Sequence, residues 1–380
     1  MRPQLYPLIA FLAACLSLKA NQATDYPLTL SITCEQDAFS LGDEIPVVFT
    51  ITNAGNEVYE YGDRNYDRSG RMPEYRLVAT NANGEAAPDP RAKIGIYSMG
   101  GLTQPRELKP GESFSKTIAL NRWALLEPGI YEVTGFYGHD PFGAQDAAGQ
   151  VASVPIAITI LPRNDEAMAT YIDELTAQLQ ATTDDQERAA LTKKLMYTQH
   201  PLSAQPLLWA AYQDGSGYWA DEGLRHYLPH SKEVMQQIIH SAYEHGLSSS
   251  MLTILEEEEI DREILLTLIE ISLAESHPNT WPTGGLGAQK YGDDRFSERL
   301  IAIANQSEHQ GRAQAIHALA NHRNAQNILA LRSLLEDSDP RVRKDTHSAI
   351  YYAINSRGNA TGEPMLKIDF PAEYWRERPN

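Results

Sequence analysis

A repeated pattern of helix, turn and helix near the C-terminus constrains the fold of this chain most strongly. Residues 331–350 read LRSLLEDSDPRVRKDTHSAI, and a new helix is predicted to begin at Asp339-Pro340. The Asp339 carboxylate can accept hydrogen bonds from first-turn amides, and Pro340 replaces an amide that has no helical partner. Arg312 in GRAQAIHAL and Arg343 in VRKDTHSAI are 31 residues apart. The same spacing pairs Ala318 with Ala349 and Leu319 with Ile350.

Helices with this pattern have one apolar stripe each, which they can bury only against neighbouring helices. A fixed period of this size is typical of stacked helix pairs. The run LLEDSDPRVRKDTHSAI resembles the turn and second helix of a HEAT-like repeat, of the variety found in phycobilisome-lyase-like proteins. The resemblance covers residues 308–352 and implies an array of helix pairs. It implies an architecture, without naming a partner.

Length and charge limit the possible classes of protein. The chain has 380 residues, which is long for one core and predicts two domains, or a domain followed by an array. Its formal net charge of −18 argues against nucleic acid and anionic membrane surfaces, which attract basic patches. Residues 21–162 carry a net charge of −8 and residues 163–380 carry −12, so the acidity is spread over both parts. This distribution indicates a solubilising surface.

The first 20 residues predict a targeting segment. Arg2 supplies a positive start, and Leu8 to Leu18 form an apolar run that is too short to span a bilayer. Removal of this signal peptide would leave a secreted or periplasmic protein of bacterial type that begins near Asn21. The run LAAC, which ends at Cys15, resembles the lipobox of bacterial lipoproteins and implies a lipid anchor as the alternative.

Residues 24–162 alternate apolar and polar side chains with a period of two. This period predicts an antiparallel sheet domain with one face of each sheet inward. The turn dipeptides Asn83-Gly84, Pro110-Gly111 and Pro128-Gly129 separate several of the runs. The alternating runs begin at Leu28, Ile45, Tyr75, Phe114, Tyr131 and Val154.

The run LEPGIY, from Leu126 to Tyr131, resembles the corner of immunoglobulin-like and fibronectin-like sandwiches. In those folds a tyrosine hydroxyl bonds to the chain just upstream. The order of the motifs GDE at Gly42 and LKPGES at Leu108 is also similar to the intracellular proteinase inhibitor family, itself a small β-sandwich. The resemblances imply an immunoglobulin-like antiparallel β-sandwich over residues 24–162.

Two polar features of this domain have structural interpretations. Cys34 keeps step with Leu30 and Ile32, which predicts a buried strand residue, and no second cysteine remains for an internal disulfide once Cys15 is lost or acylated. An Arg68 stands where a calcium loop needs glycine, so we expect a salt-bridged loop rather than a metal site. The residues at the ligand positions of such a loop are Asp63, Asn65, Asp67 and Glu74.

Between residues 163 and 355 the apolar period becomes helical and predicts about eleven helices with short joints. Ser231, Asp261 and Ser307 are the expected caps. Residues 356–380 form a tail whose strand-like run LKIDF would cover the last repeat. The predicted fold class is therefore an N-terminal immunoglobulin-like β-sandwich followed by an α-helical HEAT-like repeat array.

Nine residues are candidates for contact with a partner. Aromatic side chains dominate the centres of interfaces, although short helices also bury aromatics against one another. Two of the nine lie in HPNTWPTGGLGAQKYGD, residues 277–293, which predicts a long loop that is either functional or disordered and lacks the glycine spacing of a dinucleotide site. The nine are Trp209, Tyr212, Tyr218, Trp219, His226, Tyr227 and His230, with Trp281 and Tyr291 in the loop.

No catalytic motif is present, since the chain lacks a G-x-S-x-G elbow, an H-E-x-x-H helix and a P-loop. The sequence favours a non-catalytic protein-interaction scaffold of the cell envelope or exterior, with a protein or peptide partner. We expect no cofactor, metal, nucleic acid or integral membrane span. One alternative is an enzyme with a site between the domains near Trp219, His226 and His230. Another is proteinase inhibitor-like binding through the β-sandwich.

Overall fold

A computed structural model describes residues 27–64, 71–92, 103–138, 150–213, 217–274, 276–306, 311–321, 325–355 and 371. The chain forms two compact units. The first comprises Met1–Ala38 with Ile45–Thr159, and the second comprises Phe39–Glu44 with Ile160–Asn380. The predictions for the targeting segment, for Cys15 and for the LKIDF run concern residues outside these ranges. Within them, no helix has the length and apolar character needed to cross a membrane.

The first unit is built from antiparallel β-sheets. One sheet has the strand order β1-β3-β7, a second has the order β2-β10-β8-β5 with β9 beside β8, and β4 pairs with β6. The registers of β1 with β3, β3 with β7, β4 with β6, and β5 with β8 are all antiparallel. The strands are β1 Leu28–Thr33, β2 Ala38–Ser40, β3 Pro46–Asn53, β4 Tyr59–Arg64, β5 Tyr75–Asn81, β6 Thr103–Leu108, β7 Ser113–Ala119, β8 Gly129–Tyr137, β9 Val151–Ala152 and β10 Ile156–Leu161.

Alternate side chains of the strands build the core of the first unit. Leu28, Leu30 and Ile32 of β1 are buried, whereas the residues between them are exposed. Gly135 of β8 lies so close to this face that a Cβ would stand 2.6 Å from Ile32 Cγ2 and 3.0 Å from Phe49. The absence of a side chain at Gly135 thus lets β8 approach β1 and β3. The predicted period of two is confirmed here.

Two buried polar side chains in this unit, Tyr131 and Asn53, are hydrogen-bonded to the backbone. The Tyr131 hydroxyl donates to the Glu127 carbonyl and accepts from the Glu127 N–H, both at 3.1 Å. This is the bond to the upstream chain that the LEPGIY motif predicts. The fully buried Asn53 amide donates to the carbonyls of Glu57, at 2.8 Å, and Leu108, at 2.7 Å. Such bonds remove the cost of burying these groups.

The polar features singled out in the sequence are local structure. Cys34 lies one residue beyond β1 and is half-buried, so the prediction of a buried strand residue is wrong. Asp63 pairs with Lys116 at 3.1 Å, and Glu74 pairs with Arg64 at 3.0 Å. These two carboxylates therefore face cationic side chains, as a salt-bridged loop requires. Asn65, Asp67 and Arg68 lie outside the described residues.

The second unit is helical. A π-helical turn, Gly223–Tyr227, follows α4, and a 3-10 segment, Leu331–Glu336, follows α11. In the described part of the chain the α-helices are α1 Asp165–Ala181, α2 Asp185–Tyr197, α3 Ala204–Ala211, α4 Gly217–Glu222, α5 Lys232–His245, α6 Ser249–Glu257, α7 Arg262–Ser272, α8 Trp281–Tyr291, α9 Ser297–Ala304, α10 Arg312–Asn321, α11 Ala325–Ala330 and α12 Pro340–Asn355.

Predicted caps begin several of these helices. The Ser231 hydroxyl accepts from the Val234 N–H at the start of α5, and the Asp261 carboxylate accepts from the first-turn amides of α7. The Asp339 carboxylate accepts from the Arg341 N–H at 2.8 Å, immediately before Pro340. These three predictions are confirmed, whereas Ser307 lies outside the described residues.

The helices stack in two rows. Even-numbered helices from α2 to α12 each contact the next even-numbered helix. In the second row α3 contacts α5, α5 contacts α7, and α9 contacts α11. One apolar core runs through the unit from Met168 to Ile354. The four apolar residues matched by the 31-residue spacing all lie in this core: Ala318, Leu319, Ala349 and Ile350. Stacking is therefore how these helices bury their apolar stripes.

The two matched arginines both bond to the chain before their own helix. Arg312 is buried, donates to the Ala304 carbonyl at 2.9 Å, and pairs with Asp337 at 2.6 Å. Arg343 donates to the Asp337 carbonyl at 2.6 Å and to the Ser338 carbonyl at 3.0 Å. The spacing thus pairs residues with similar local roles.

Residues 277–293 contain a helix, so the prediction of a long loop is wrong. The glycines of α8 pack against neighbouring helices instead of breaking the chain. A Cβ at Gly287 would lie 2.8 Å from Ile269 Cγ1, and one at Gly285 would lie 2.7 Å from Gln314 Cβ. The close packing stabilises a helix whose intrinsic propensity is poor.

Candidate functional site

Two of the nine candidate residues are core residues. Tyr227 is 4% exposed and packs against the ring of Tyr197, with centroids 5.9 Å apart. Trp281 is 3% exposed, donates its indole N–H to the Ala274 carbonyl at 2.7 Å, and lies under the Arg299 guanidinium. Neither ring offers a surface to a partner, and we therefore remove both from the candidate contacts.

Tyr291 lies at the end of α8 and is held by its own unit. Its hydroxyl donates to Glu256 Oε1 at 3.0 Å, and Lys290 pairs with the other oxygen of Glu256 at 2.7 Å. Burial, followed by the bond to Glu256 and its charge, raises the pKa of Tyr291 to about 12. The hydroxyl therefore stays protonated and acts as a structural donor.

The residues proposed for an enzyme site are engaged in local contacts. Trp219 packs edge-on against the exposed Tyr218, with centroids 5.0 Å apart, and His226 is half-buried. His230 Nδ1 is 3.0 Å from Glu258 Oε1, and its Nε2 is 2.8 Å from the Leu224 carbonyl oxygen. Since both ring nitrogens of His230 have partners, this histidine is poorly placed to exchange a proton with a substrate.

Trp209 and Tyr212 belong to a surface groove with a volume of about 260 Å3. We call this the α3/α5 groove because these two helices pack together and supply its walls. Helix α3 and the turn after it contribute Gln205, Leu208, Trp209, Tyr212 and Gln213, and α5 contributes His240, Ser241, Glu244 and His245. Leu208 is fully buried beneath, whereas Trp209 and Tyr212 are half-buried.

Three exposed side chains of α5 form the rim of the α3/α5 groove. Glu244 Oε1 is 3.3 Å from His240 Nε2, one helical turn away, and Glu244 Oε2 is 3.9 Å from His245 Nε2. The His245 ring packs edge-on against Tyr212, with centroids 5.3 Å apart. Among the described lining residues, Glu244 is the one carboxylate.

The back of the groove is polar. The Tyr212 hydroxyl donates to the Gly246 carbonyl at 2.6 Å, and its pKa is raised to about 12, mainly by burial and further by the charge of Asp221. Burial also raises the pKa of Asp221 to about 6, against the opposing effect of its hydrogen bonds to Ser250 and Ser248.

A second cavity, of about 490 Å3, lies beside Cys34 in the first unit, and Asp37 and Ile156 are among its lining residues. Burial raises the pKa of the Cys34 thiol. The thiolate, which is the nucleophilic form, is therefore disfavoured at this position. Within the described ranges, no three histidine, cysteine or acidic side chains are grouped to hold a metal ion.

Sequence reasoning found Trp209 and Tyr212 but missed the rim residues. His240 and Glu244 are four residues apart on one helix, a spacing that places both on one face. That spacing was the available signal. Their position beside Trp209 depends on the packing of α5 against α3, which the sequence does not state.

Comparisons with known proteins give little further information. No family model matches the chain, and no curated protein matches it. One similar solved structure is a family 123 glycoside hydrolase from Clostridium perfringens, described in connection with glycolipid glycan hydrolysis. It is 12% identical over 48% of this chain and 36% of that chain, with a TM-score of 0.17. The chain thus spans about a third of that protein, and a likeness of this size carries no argument about fold or function.

Proposed function

We propose that this protein is a non-catalytic protein-interaction scaffold, and that the α3/α5 groove is a contact site for a partner peptide. The observation that carries the proposal is the half-buried aromatic pair, Trp209 and Tyr212, on the wall of an open groove with a charged rim. Aromatic side chains that are fixed by packing and still reach the surface bind peptides at a low cost in conformational entropy.

The proposed architecture is an immunoglobulin-like β-sandwich followed by HEAT-like repeats. The Tyr131 bond to Glu127 and the close approach of Gly135 to Ile32 support the sandwich. The two rows of helices and the similar roles of Arg312 and Arg343 support the repeats. Arrays of this kind present long surfaces on which a partner can lie.

The proposed location is the cell envelope or exterior. The support is the sequence of the first 20 residues, with Arg2 before the apolar run from Leu8 to Leu18. A lipid anchor at Cys15 remains the alternative proposal. Mass spectrometry of the mature protein separates the two, because ordinary cleavage leaves a free N-terminus near Asn21 and lipidation leaves an acylated Cys15.

A peptide selection tests the contact site. The full chain is immobilised and a library of random peptides displayed on phage is selected against it. We expect the selected peptides to bind the Trp209→Leu variant at least about tenfold more weakly, the size of an interface hot spot. Trp219→Leu is the matched control, since Trp219 is also half-buried but does not line the groove.

The proposal fails if the selected peptides bind the Trp209→Leu and wild-type proteins equally well. It also fails if Trp219→Leu causes the same loss, because the effect would then reflect general damage to the helices. Far-UV circular dichroism of both variants checks that each one is folded.

A further inference from the structure

A recurring cluster in this protein joins a cation, an aromatic ring and a carboxylate. In the second unit, Lys193 of α2 lies 5.8 Å from the ring centroid of Trp219, and its Nζ is 2.7 Å from Glu44 Oε1. The ammonium thus interacts with the negative face of a ring and with a negative charge at the same time. Both interactions favour a cation at one place.

The end of α8 has the same arrangement. Lys290 lies 5.9 Å from the ring centroid of Tyr291, and its Nζ is 2.7 Å from Glu256 Oε2. Here too the cation comes from the chain itself. Arg163 repeats the pattern with Tyr171 and Asp43.

Trp209 differs from the other tryptophans in the described part of the chain. Each of the others has a cation over its ring, and these pairs are Arg71 over Trp123, Lys193 over Trp219 and Arg299 over Trp281. No cationic side chain of the described residues lies over Trp209, which faces the α3/α5 groove.

The α3/α5 groove contains two of the three components of the cluster. Trp209 and Tyr212 supply aromatic rings, and Glu244 supplies a carboxylate whose neighbours are the imidazoles of His240 and His245. Lysine and arginine are absent from the described lining of the groove. The described lining therefore lacks the third component, a cation.

We propose that the α3/α5 groove binds a lysine or arginine side chain of the partner protein. This inference rests on the proposed function and states the chemistry of the partner at the same site. The cation lies against the Trp209 ring and pairs with Glu244, while apolar neighbours in the partner pack on Trp209 and Tyr212.

The electrostatics of the surroundings agree with a cationic ligand. The charge of Asp221 acts on the hydroxyl of Tyr212, which lines the groove. Residues 163–380 carry 20 basic and 32 acidic side chains, so the second unit attracts basic partners at long range. The carboxylates of Glu244 and Asp221 give the groove a negative potential, which also favours association with a basic partner.

A matched peptide series tests the inference on the full chain. The peptides share one sequence of glycine, serine and leucine residues and differ at one central position, which is arginine, lysine, glutamine or glutamate. Isothermal titration calorimetry measures binding to the wild-type protein and to the Trp209→Leu and Glu244→Gln variants. The control variant is Glu233→Gln, because this substitution removes the same charge from α5 at a residue that does not line the groove.

We expect the arginine and lysine peptides to bind at least about fivefold more tightly than the glutamine peptide, the range of a partly desolvated cation–π contact with a carboxylate beside it. The preference should disappear in Glu244→Gln and Trp209→Leu and persist in Glu233→Gln. Equal binding of the glutamine and arginine peptides overturns the inference, as does a preference that survives in Glu244→Gln. Absence of binding by all four peptides also overturns it.

The selection and the peptide series distinguish the two levels of the proposal. If selected phage peptides depend on Trp209 but are not enriched in lysine and arginine, the scaffold proposal stands and the cation inference is wrong. If no selected peptide depends on Trp209, both are wrong.

Discussion

Trp281 and Trp209 show how differently one helical unit uses the same side chain. Trp281 begins α8, is 3% exposed, bonds through its N–H to the Ala274 carbonyl, and has Arg299 over its ring. Trp209 lies in the last turn of α3, is half-buried, and lines a groove with no cation of the described chain over its ring. The first ring is buried and has both a hydrogen-bond acceptor and a cation within the protein. The second retains an apolar face and a cation site for another molecule.

The largest expected effect is the loss of the Trp281 ring. Trp281→Ala should lower the free energy of unfolding by about 3–5 kcal/mol, because it leaves a cavity in the core and removes one of the two hydrogen bonds to the Ala274 carbonyl. Trp209→Ala should cost much less, since its ring is half-buried. Urea unfolding followed by circular dichroism at 222 nm measures both. Equal losses in the two variants would contradict the distinction between the core ring and the groove ring.

The glycines of α8 provide the next test. An alanine in a helix is normally more stable than a glycine by about 0.5–1 kcal/mol. At Gly287 the new Cβ would lie 2.8 Å from Ile269 Cγ1, so Gly287→Ala should instead destabilise the protein by about 1–3 kcal/mol, the cost of overpacking.

A gain in thermal stability for Gly287→Ala would show that Ile269 moves away without cost. Gly292→Ala is a comparison at a position with open space, where the positive φ of 60° alone determines the effect.

The glycines of α8 explain why the sequence predicts a loop at residues 277–293, where the structure has a helix. Pattern reasoning predicts six of the ten described strands and most helices, because periods of two and 3.6 are local properties of the sequence, whereas it misses β2, β4, β6 and β9. Gly284, Gly285 and Gly287 interrupt the apolar period of a helix. The local sequence does not show that Leu273, Gln314 and Ile269 pack against them. Packing at this place outweighs the intrinsic propensity.

Only part of the α3/α5 groove could be predicted from the sequence, because its other part depends on tertiary packing. Trp209 and Tyr212 are conspicuous because aromatic residues cluster between residues 209 and 230. Glu244 and its two histidines come from a helix about thirty residues further on, and only the packing of α3 on α5 brings them to the groove. A local pattern can therefore propose ring residues, whereas the charge that completes a site requires the tertiary structure.

The polar back of the groove predicts an effect of pH. Burial raises the pKa of Asp221 to about 6, so the folded state holds this proton more tightly than the unfolded state. The contribution of Asp221 to the free energy of unfolding should therefore fall as the pH rises from about 4 to about 6, and it should stay constant above that range. Asp221→Asn should remove this pH dependence and raise stability at pH 7.5 by about 1–2 kcal/mol.

Unfolding of Asp221→Asn by urea at several pH values tests this effect. Asp173→Asn, an exposed change on α1, controls for the loss of one charge. If Asp221→Asn is less stable than the wild type at pH 7.5, the carboxylate gains more from Ser248 and Ser250 than burial costs it.

The smallest expected change in stability is the one that separates binding from folding most clearly. Glu244 is exposed and its neighbours are two surface imidazoles, so Glu244→Gln should alter the free energy of unfolding by less than about 0.5 kcal/mol. The same variant should lose the preference for lysine and arginine peptides, because the carboxylate is the rim charge of the groove. Urea unfolding and calorimetric titration of one preparation measure both properties. If Glu244→Gln loses both stability and peptide preference, Glu244 is a structural residue of the second unit, as Trp281 is. A rim residue should instead change the binding preference of the groove and leave the free energy of unfolding unchanged.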